Sequence, residues 1–210
     1  DSSYGVRSTL LISKFINTSV YETYLYEVRQ GEVWRLISPI FLHAGFFHIL
    51  FNLYWFYQLA RPIEEESSSR QFLFLVIFIA LLSNIAFYFL IGPNFGGLSG
   101  VNYGLCAYLW YMGEHAPQFN RQVDESMIQF FMVWYFLCCG LSILKLMPVA
   151  NTIHGVGFLA GFLFAYFTSG RIHQLSMELK HHPKRILDSF IKGTAALTVG
   201  LLADLSNYFF

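Results

Sequence analysis

Long apolar stretches separated by short charged segments dominate this chain. No Asp, Glu, Lys or Arg occurs from Leu36 to Ala60, Gln71 to Gly113, Met127 to Leu144 or Leu146 to Gly170. A helix needs about 20 apolar residues to cross the hydrocarbon of a bilayer, and the second stretch is long enough for two such helices. Turn formers Gly92, Pro93, Asn94, Gly96 and Gly97 divide it near its middle. The pattern predicts helices over about 45–61, 70–91, 98–113, 126–145 and 150–169. The stretch from Leu10 to Tyr26 is apolar but contains Lys14 and Glu22. It reads as a weak first span, an interfacial helix or the remnant of a truncated span. In the tail from Ile186 to Phe210, Asp188, Lys192 and Asp204 surround or interrupt the apolar run Gly193 to Ala203. That run is short for a span and suits an interfacial or additional helix.

Composition changes the picture by naming the solvent. The 210 residues are 55% hydrophobic and 12% charged, against roughly 25% charged in an average soluble domain. The expected fold is therefore all-α, a polytopic transmembrane helical bundle. The formal net charge is zero, which removes any overall electrostatic case for a nucleic-acid partner. Cys106, Cys138 and Cys139 lie in apolar stretches without the spacing of a disulfide framework or a metal site. The chain opens at Asp1 rather than Met, consistent with a missing N-terminal part, and shows no signal-peptide pattern.

Orientation follows from the basic residues, because cytoplasmic loops are enriched in Lys and Arg. Arg61, Arg70, Arg121, Arg171, Lys180, Lys184 and Arg185 follow the first, third and fifth predicted core helices, whereas the opposite loops between core helices hold only Lys145. The 61–70, 114–125 and C-terminal segments should be cytoplasmic. The core helices that contain His48 and Asn52, Ser99, and His154 then all begin at the non-cytoplasmic face.

That shared depth suggests chemistry. His48 and Asn52 are four residues apart and face the same way on a helix. Ser99 begins a helix, and His154 lies about 6–9 Å below the top of its own at 1.5 Å per residue. A serine hydroxyl becomes a nucleophile when a base takes its proton, and histidine suits that task. The amides of Leu98 and Ser99, free at a helix start, could join the side chains of His48 and Asn52 in holding an oxyanion. No carboxylate occurs in the outer half of the predicted core, so a Ser-His dyad without Asp is expected. Tyr103, one turn below Ser99, could orient the imidazole by stacking. Each feature also has a plainer reading. Gly97-Leu98-Ser99-Gly100 could mark only a loop-to-helix join, His154 a packing residue, and His48 and Asn52 polar glue between helices. Gly100 with Gly104 and Gly157 with Gly161 have the spacing of close helix packing. Trp34-Arg35 reads as an interfacial anchor.

Taken together these residues resemble the rhomboid family of intramembrane serine proteases. The likeness runs from Trp34-Arg35, through His43-Ala-Gly-Phe-Phe-His48-Ile-Leu-Phe-Asn52 and Gly97-Leu98-Ser99-Gly100-Val-Asn-Tyr103, to His154-Gly-Val-Gly157-Phe-Leu-Ala-Gly161. It covers about residues 34–170, in the span pattern described above. The resemblance implies a core of about six helices, Ser99 and His154 as the catalytic dyad, His48 and Asn52 near the oxyanion, Tyr103 beside the histidine, and Gly157 and Gly161 against the serine helix. It also implies single-span membrane proteins in the lipid bilayer as substrates, cut without metal or cofactor. The loop after the second family helix departs from the common pattern at Ala60-Arg61-Pro62-Ile63-Glu64. The expected organisation is an N-terminal segment over 1–33, a catalytic membrane core over 34–170 and a basic cytoplasmic tail over 171–210. The alternative is a non-proteolytic adaptor that binds client helices in the same cleft. A transporter fits less well, since no carboxylate lies in a core helix to couple ions. Nothing in the sequence sets an oligomeric state.

Overall fold

A computed structural model describes residues 2–13, 25–119, 124–169, 195 and 197–206. Its helices are α1 (Ser2–Leu10), α2 (Tyr26–Arg29), α3 (Phe46–Glu66), α4 (Ser69–Leu90), α5 (Ser99–His115), α6 (Glu125–Ile143), α7 (Asn151–Thr168) and α8 (Leu197–Ser206). Two 3-10 turns, Val33–Leu36 and Ser38–Phe41, lead into α3. Among the described residues there is no strand. The weak N-terminal stretch falls largely on 14–24, and most of the basic tail on 170–194, both outside the described residues.

Helix α5 is the axis of the bundle. Its residues Gly100 to Leu109 are all buried, and α3, α4, α6 and α7 pack around it, α7 most extensively. The outer faces of the surrounding helices are apolar: Phe46, Phe47, Leu50 and Leu53 on α3, Leu73 and Phe74 on α4, and Val133, Phe136 and Leu137 on α6 are all exposed. Helices α4 and α6 are long and apolar enough to cross a membrane on length and composition alone. Helix α5 is shorter, at 17 residues, and α3 and α7 carry polar residues within their spans, among them His48, Asn52, Asn151 and His154.

Helix α3 runs five residues beyond the boundary expected from charge, so the anticipated 61–70 loop contracts to Ser67 and Ser68. Charge ends an apolar span but does not end a helix. Arg61 pairs with Glu65 at 2.8 Å across one turn, and Pro62 is accommodated within the helix. Ser67 then donates its hydroxyl to the Ile63 carbonyl at 2.6 Å. Ser68 starts α4 by accepting the Gln71 N–H at 3.2 Å.

Arg35 is not an interfacial anchor, although its neighbour Trp34 is half exposed. The guanidinium is 1% exposed and pairs with Glu32. It also donates to the carbonyls of Ser8 and Leu11, each at 2.7 Å. These bonds offset the cost of burying the charge and tie the end of α1 to the turn before α3. Ile12, fully buried, packs with Phe87, Tyr88, Phe95 and Ile153. The N-terminal segment is thereby fastened beside the polar end of the bundle.

Candidate active site

Ser99 and His154, fifty-five residues apart, are joined by a hydrogen bond of 2.8 Å between the serine Oγ and the histidine Nε2. Ser99 is the first residue of α5, and the chain reaches it through Gly97 at φ 131°. That backbone conformation favours glycine. His154 is the fourth residue of α7. Two close approaches bring the helices together: a Cβ on Gly157 would overlap the Gly100 carbonyl oxygen, and one on Gly161 the Gly104 carbonyl oxygen. Backbone therefore meets backbone, and the side chains one turn above are drawn into hydrogen-bonding range.

The imidazole is held on one face by Tyr103, whose ring stacks on it at 4.6 Å and 21°. Tyr103 is itself fixed, its hydroxyl donating to the Phe131 carbonyl of α6 at 3.1 Å. His154 is buried, and among the described residues its Nδ1 has no hydrogen-bond partner. No group of three or more potential metal ligands occurs among the described residues.

His48 approaches from α3. A Cβ built on Gly97 would sit 3.5 Å from His48 Nε2 and 3.7 Å from Ser99 Oγ, so imidazole and hydroxyl flank the same glycine. The Ala44 N–H points at His48 Nδ1 across 3.2 Å. A nitrogen that accepts is unprotonated, which leaves Nε2 as the N–H of the neutral ring. That donor is the nitrogen beside Gly97. Asn52, 2% exposed, donates its amide nitrogen to the His48 carbonyl at 2.9 Å. Leu98 and Ser99 open α5, where N–H groups have no partner within the helix.

The sequence profile of the Rhomboid domain matches residues 30–171. This chain belongs to the rhomboid family. It is similar to proteins named Rhomboid protease GlpG from Yersinia enterocolitica serotype O:8 / biotype 1B (39% identity over 140 residues), Yersinia pseudotuberculosis serotype I (37%) and Yersinia pestis strain Pestoides F (37%). Each alignment covers 65% of this chain and 48% of the relative. The chain thus spans about half the length of the relatives it matches.

Within this rhomboid fold two polar residues join the site that sequence reasoning did not single out. Asn102, buried one turn after Ser99, donates to the backbone carbonyl of Asn52 at 3.0 Å and to its side-chain oxygen at 3.3 Å. Its signal was a lone amide on the buried helix beside the candidate serine. A carboxylate from the C-terminal helix, outside the predicted core, also reaches this end of the bundle. Asp204 of α8 accepts the N–H groups of Asn151 at 2.8 Å and Thr152 at 2.5 Å. These are backbone bonds at the start of α7, two residues before the histidine. His43 lies in the loop before α3, its ring edge-on to His48 at 5.1 Å, and His115 ends α5. His173, His181 and His182 lie outside the described residues.

Proposed function

We propose that this chain is an intramembrane serine protease that hydrolyses peptide bonds in or near the transmembrane segments of membrane-anchored proteins. The hydrogen bond between Ser99 and His154, on parallel-running helices pressed together by glycines, carries the reading. His154 Nε2 accepts the hydroxyl proton as Ser99 Oγ attacks the scissile carbonyl. The negative charge that develops on the carbonyl oxygen is met by the amides of Leu98 and Ser99 and the side chains of His48 and Asn52. In the present geometry the Asn52 amide donates to its own helix, so its contribution requires a side-chain rotation when the oxyanion forms. His48 Nε2–H, beside Gly97, needs no such change. The protonated His154 then donates to the leaving amine, and a water deprotonated by the same nitrogen hydrolyses the acyl-enzyme.

The bundle is read as polytopic, with a rhomboid core of about six spans and the site opening at the non-cytoplasmic face. Exposed apolar faces on α3, α4 and α6 support contact with lipid, and Arg61 in the last turns of α3, Arg70 at the start of α4 and Arg121 after α5 support the orientation. Single-span membrane proteins are the substrate class. A non-proteolytic adaptor would have no use for a serine hydroxyl bonded to an imidazole. Incubating the purified protein in detergent with a model single-span substrate tests the reading, and Ser99→Ala provides the control. Cleavage by the intact protein and none by the variant is expected; equal cleavage by both rejects it.

A further inference from the structure

A carboxylate inside an apolar helix bundle is costly unless its oxygens are bonded, and where it occurs it usually serves a function. Asp204 is 2% exposed. Its Oδ1 accepts the Asn151 N–H at 2.8 Å and the Asn151 side-chain amide at 3.1 Å, and its Oδ2 accepts the Thr152 N–H at 2.5 Å. Ordinarily the residue before a helix supplies this cap. Here that residue is Ala150, which has no side chain able to do so. The cap comes instead from another helix, more than fifty residues away.

The seating of α8 is correspondingly specific. Leu197, Gly200 and Asp204 recur at intervals of three and four and share one face. A Cβ on Gly155 of α7 would lie 2.7 Å from Leu197. A Cβ on Gly200 would overlap the Tyr135 hydroxyl of α6 and lie 3.4 Å from the Asn151 carbonyl. Asn151 is further tied to Ser142 of α6 at 2.9 Å. The first turn of α7 is thus gripped from two helices, and His154 stands on that turn, two residues past Thr152.

We propose that Asp204 is a positioning residue for the histidine: by capping α7 from α8 it fixes the height at which His154 Nε2 meets Ser99 Oγ. The role rests on the dyad reading above. Without the carboxylate the first turn can shift or fray, and a displacement of about 1 Å in a reacting group can slow a reaction up to a hundredfold. Tyr103 holds only the plane of the ring, not the height of its backbone.

The test uses the full chain in detergent, with Ser99→Ala, Asp204→Asn and Asp204→Leu beside the original protein. Three quantities are read per folded molecule: the initial rate of Ser99 labelling by a fluorophosphonate, kcat and KM on a single-span substrate, and the melting temperature. Asp204→Asn keeps the volume and one acceptor, so it retains the fold. It should label and turn over about tenfold more slowly with KM unchanged, and Asp204→Leu more slowly still. Original-rate labelling and kcat in folded Asp204→Asn, even with a lowered melting temperature, would show that Asp204 only stabilises the bundle. Failure of the original protein to label at Ser99 would instead overturn the dyad, and this role with it.

Discussion

A Cβ on Gly161 would overlap the carbonyl oxygen of Gly104, so α5 and α7 touch backbone to backbone one turn below the equivalent meeting of Gly157 and Gly100. Any side chain at Gly161 must move one helix away from the other. Gly161→Leu should destabilise the protein by more than the ~1–3 kcal/mol typical of overpacking, because backbone rather than a flexible side chain must yield. Ser99 labelling should fall with it. Melting temperature and labelling rate check this, and original values in both would place Gly161 outside the helix contact that sets the site.

Ser99→Ala should abolish proteolysis while leaving the melting temperature close to that of the original protein. The substitution removes one hydroxyl and one hydrogen bond, a net contribution of about 1 kcal/mol, whereas the acyl-enzyme cannot form without the oxygen. His154→Ala should abolish both cleavage and fluorophosphonate labelling. Normal labelling in the folded His154 variant would show that another base activates the serine.

Tyr103 offers a way to separate ring stacking from hydrogen bonding. Tyr103→Phe keeps the ring against His154 and removes only the bond to the Phe131 carbonyl, which sits inside α6 and keeps its helical partner, so it should cost about 1 kcal/mol of stability with turnover per folded molecule largely preserved. Tyr103→Leu removes the flat surface and should lower turnover as well. If the two variants lose turnover equally, the hydroxyl rather than the ring sets the histidine.

Asn52→Ala and His48→Ala should lower turnover more than they weaken substrate binding. Removing one preorganised oxyanion donor typically costs about 2.7–4 kcal/mol in the transition state, and less where backbone donors remain or where, as at Asn52, the amide must first rotate away from its own helix. Asn52 also joins Asn102 and the His48 carbonyl, so a purely structural role predicts a lower melting temperature with normal turnover. Melting temperature and folded-fraction-corrected turnover for the two variants and the double mutant separate these outcomes. Unchanged turnover in all three rejects the oxyanion role.

Asn102→Val tests the support behind Asn52. It removes a donor to both oxygens of Asn52 while preserving approximate side-chain volume, and should slow turnover without changing KM. Its effect should shrink in an Asn52→Ala background, where the side-chain oxygen is gone and only the bond to the backbone carbonyl remains, because coupled residues are non-additive. Additive losses would show that the two amides act independently.

The runs without charge were enough to predict the five long helices, since one solvent demands apolar side chains along each of them. Residue types and spacing also singled out Ser99, His154, Tyr103 and the glycine pairs as candidates, and the fold brings them together: serine bonded to histidine, tyrosine stacked on it, glycines at the backbone contact. Their roles in catalysis are for the experiments above to decide. Charge proved a poor guide to helix ends, because Arg61, Pro62 and Glu64 to Glu66 remain helical beyond the apolar run.

Contacts between segments distant in sequence came into view only with the folded chain. Arg35 looked like an anchor because a sequence cannot show that the carbonyls of Ser8 and Leu11 turn to meet it. Asp204 looked like a charge that weakened a short apolar tail, yet its two oxygens close the first turn of the histidine helix. A buried charge is legible in sequence only as a cost. The partners that offset it are backbone groups, which every residue except proline's missing N–H carries alike, and their positions exist only once the chain has folded.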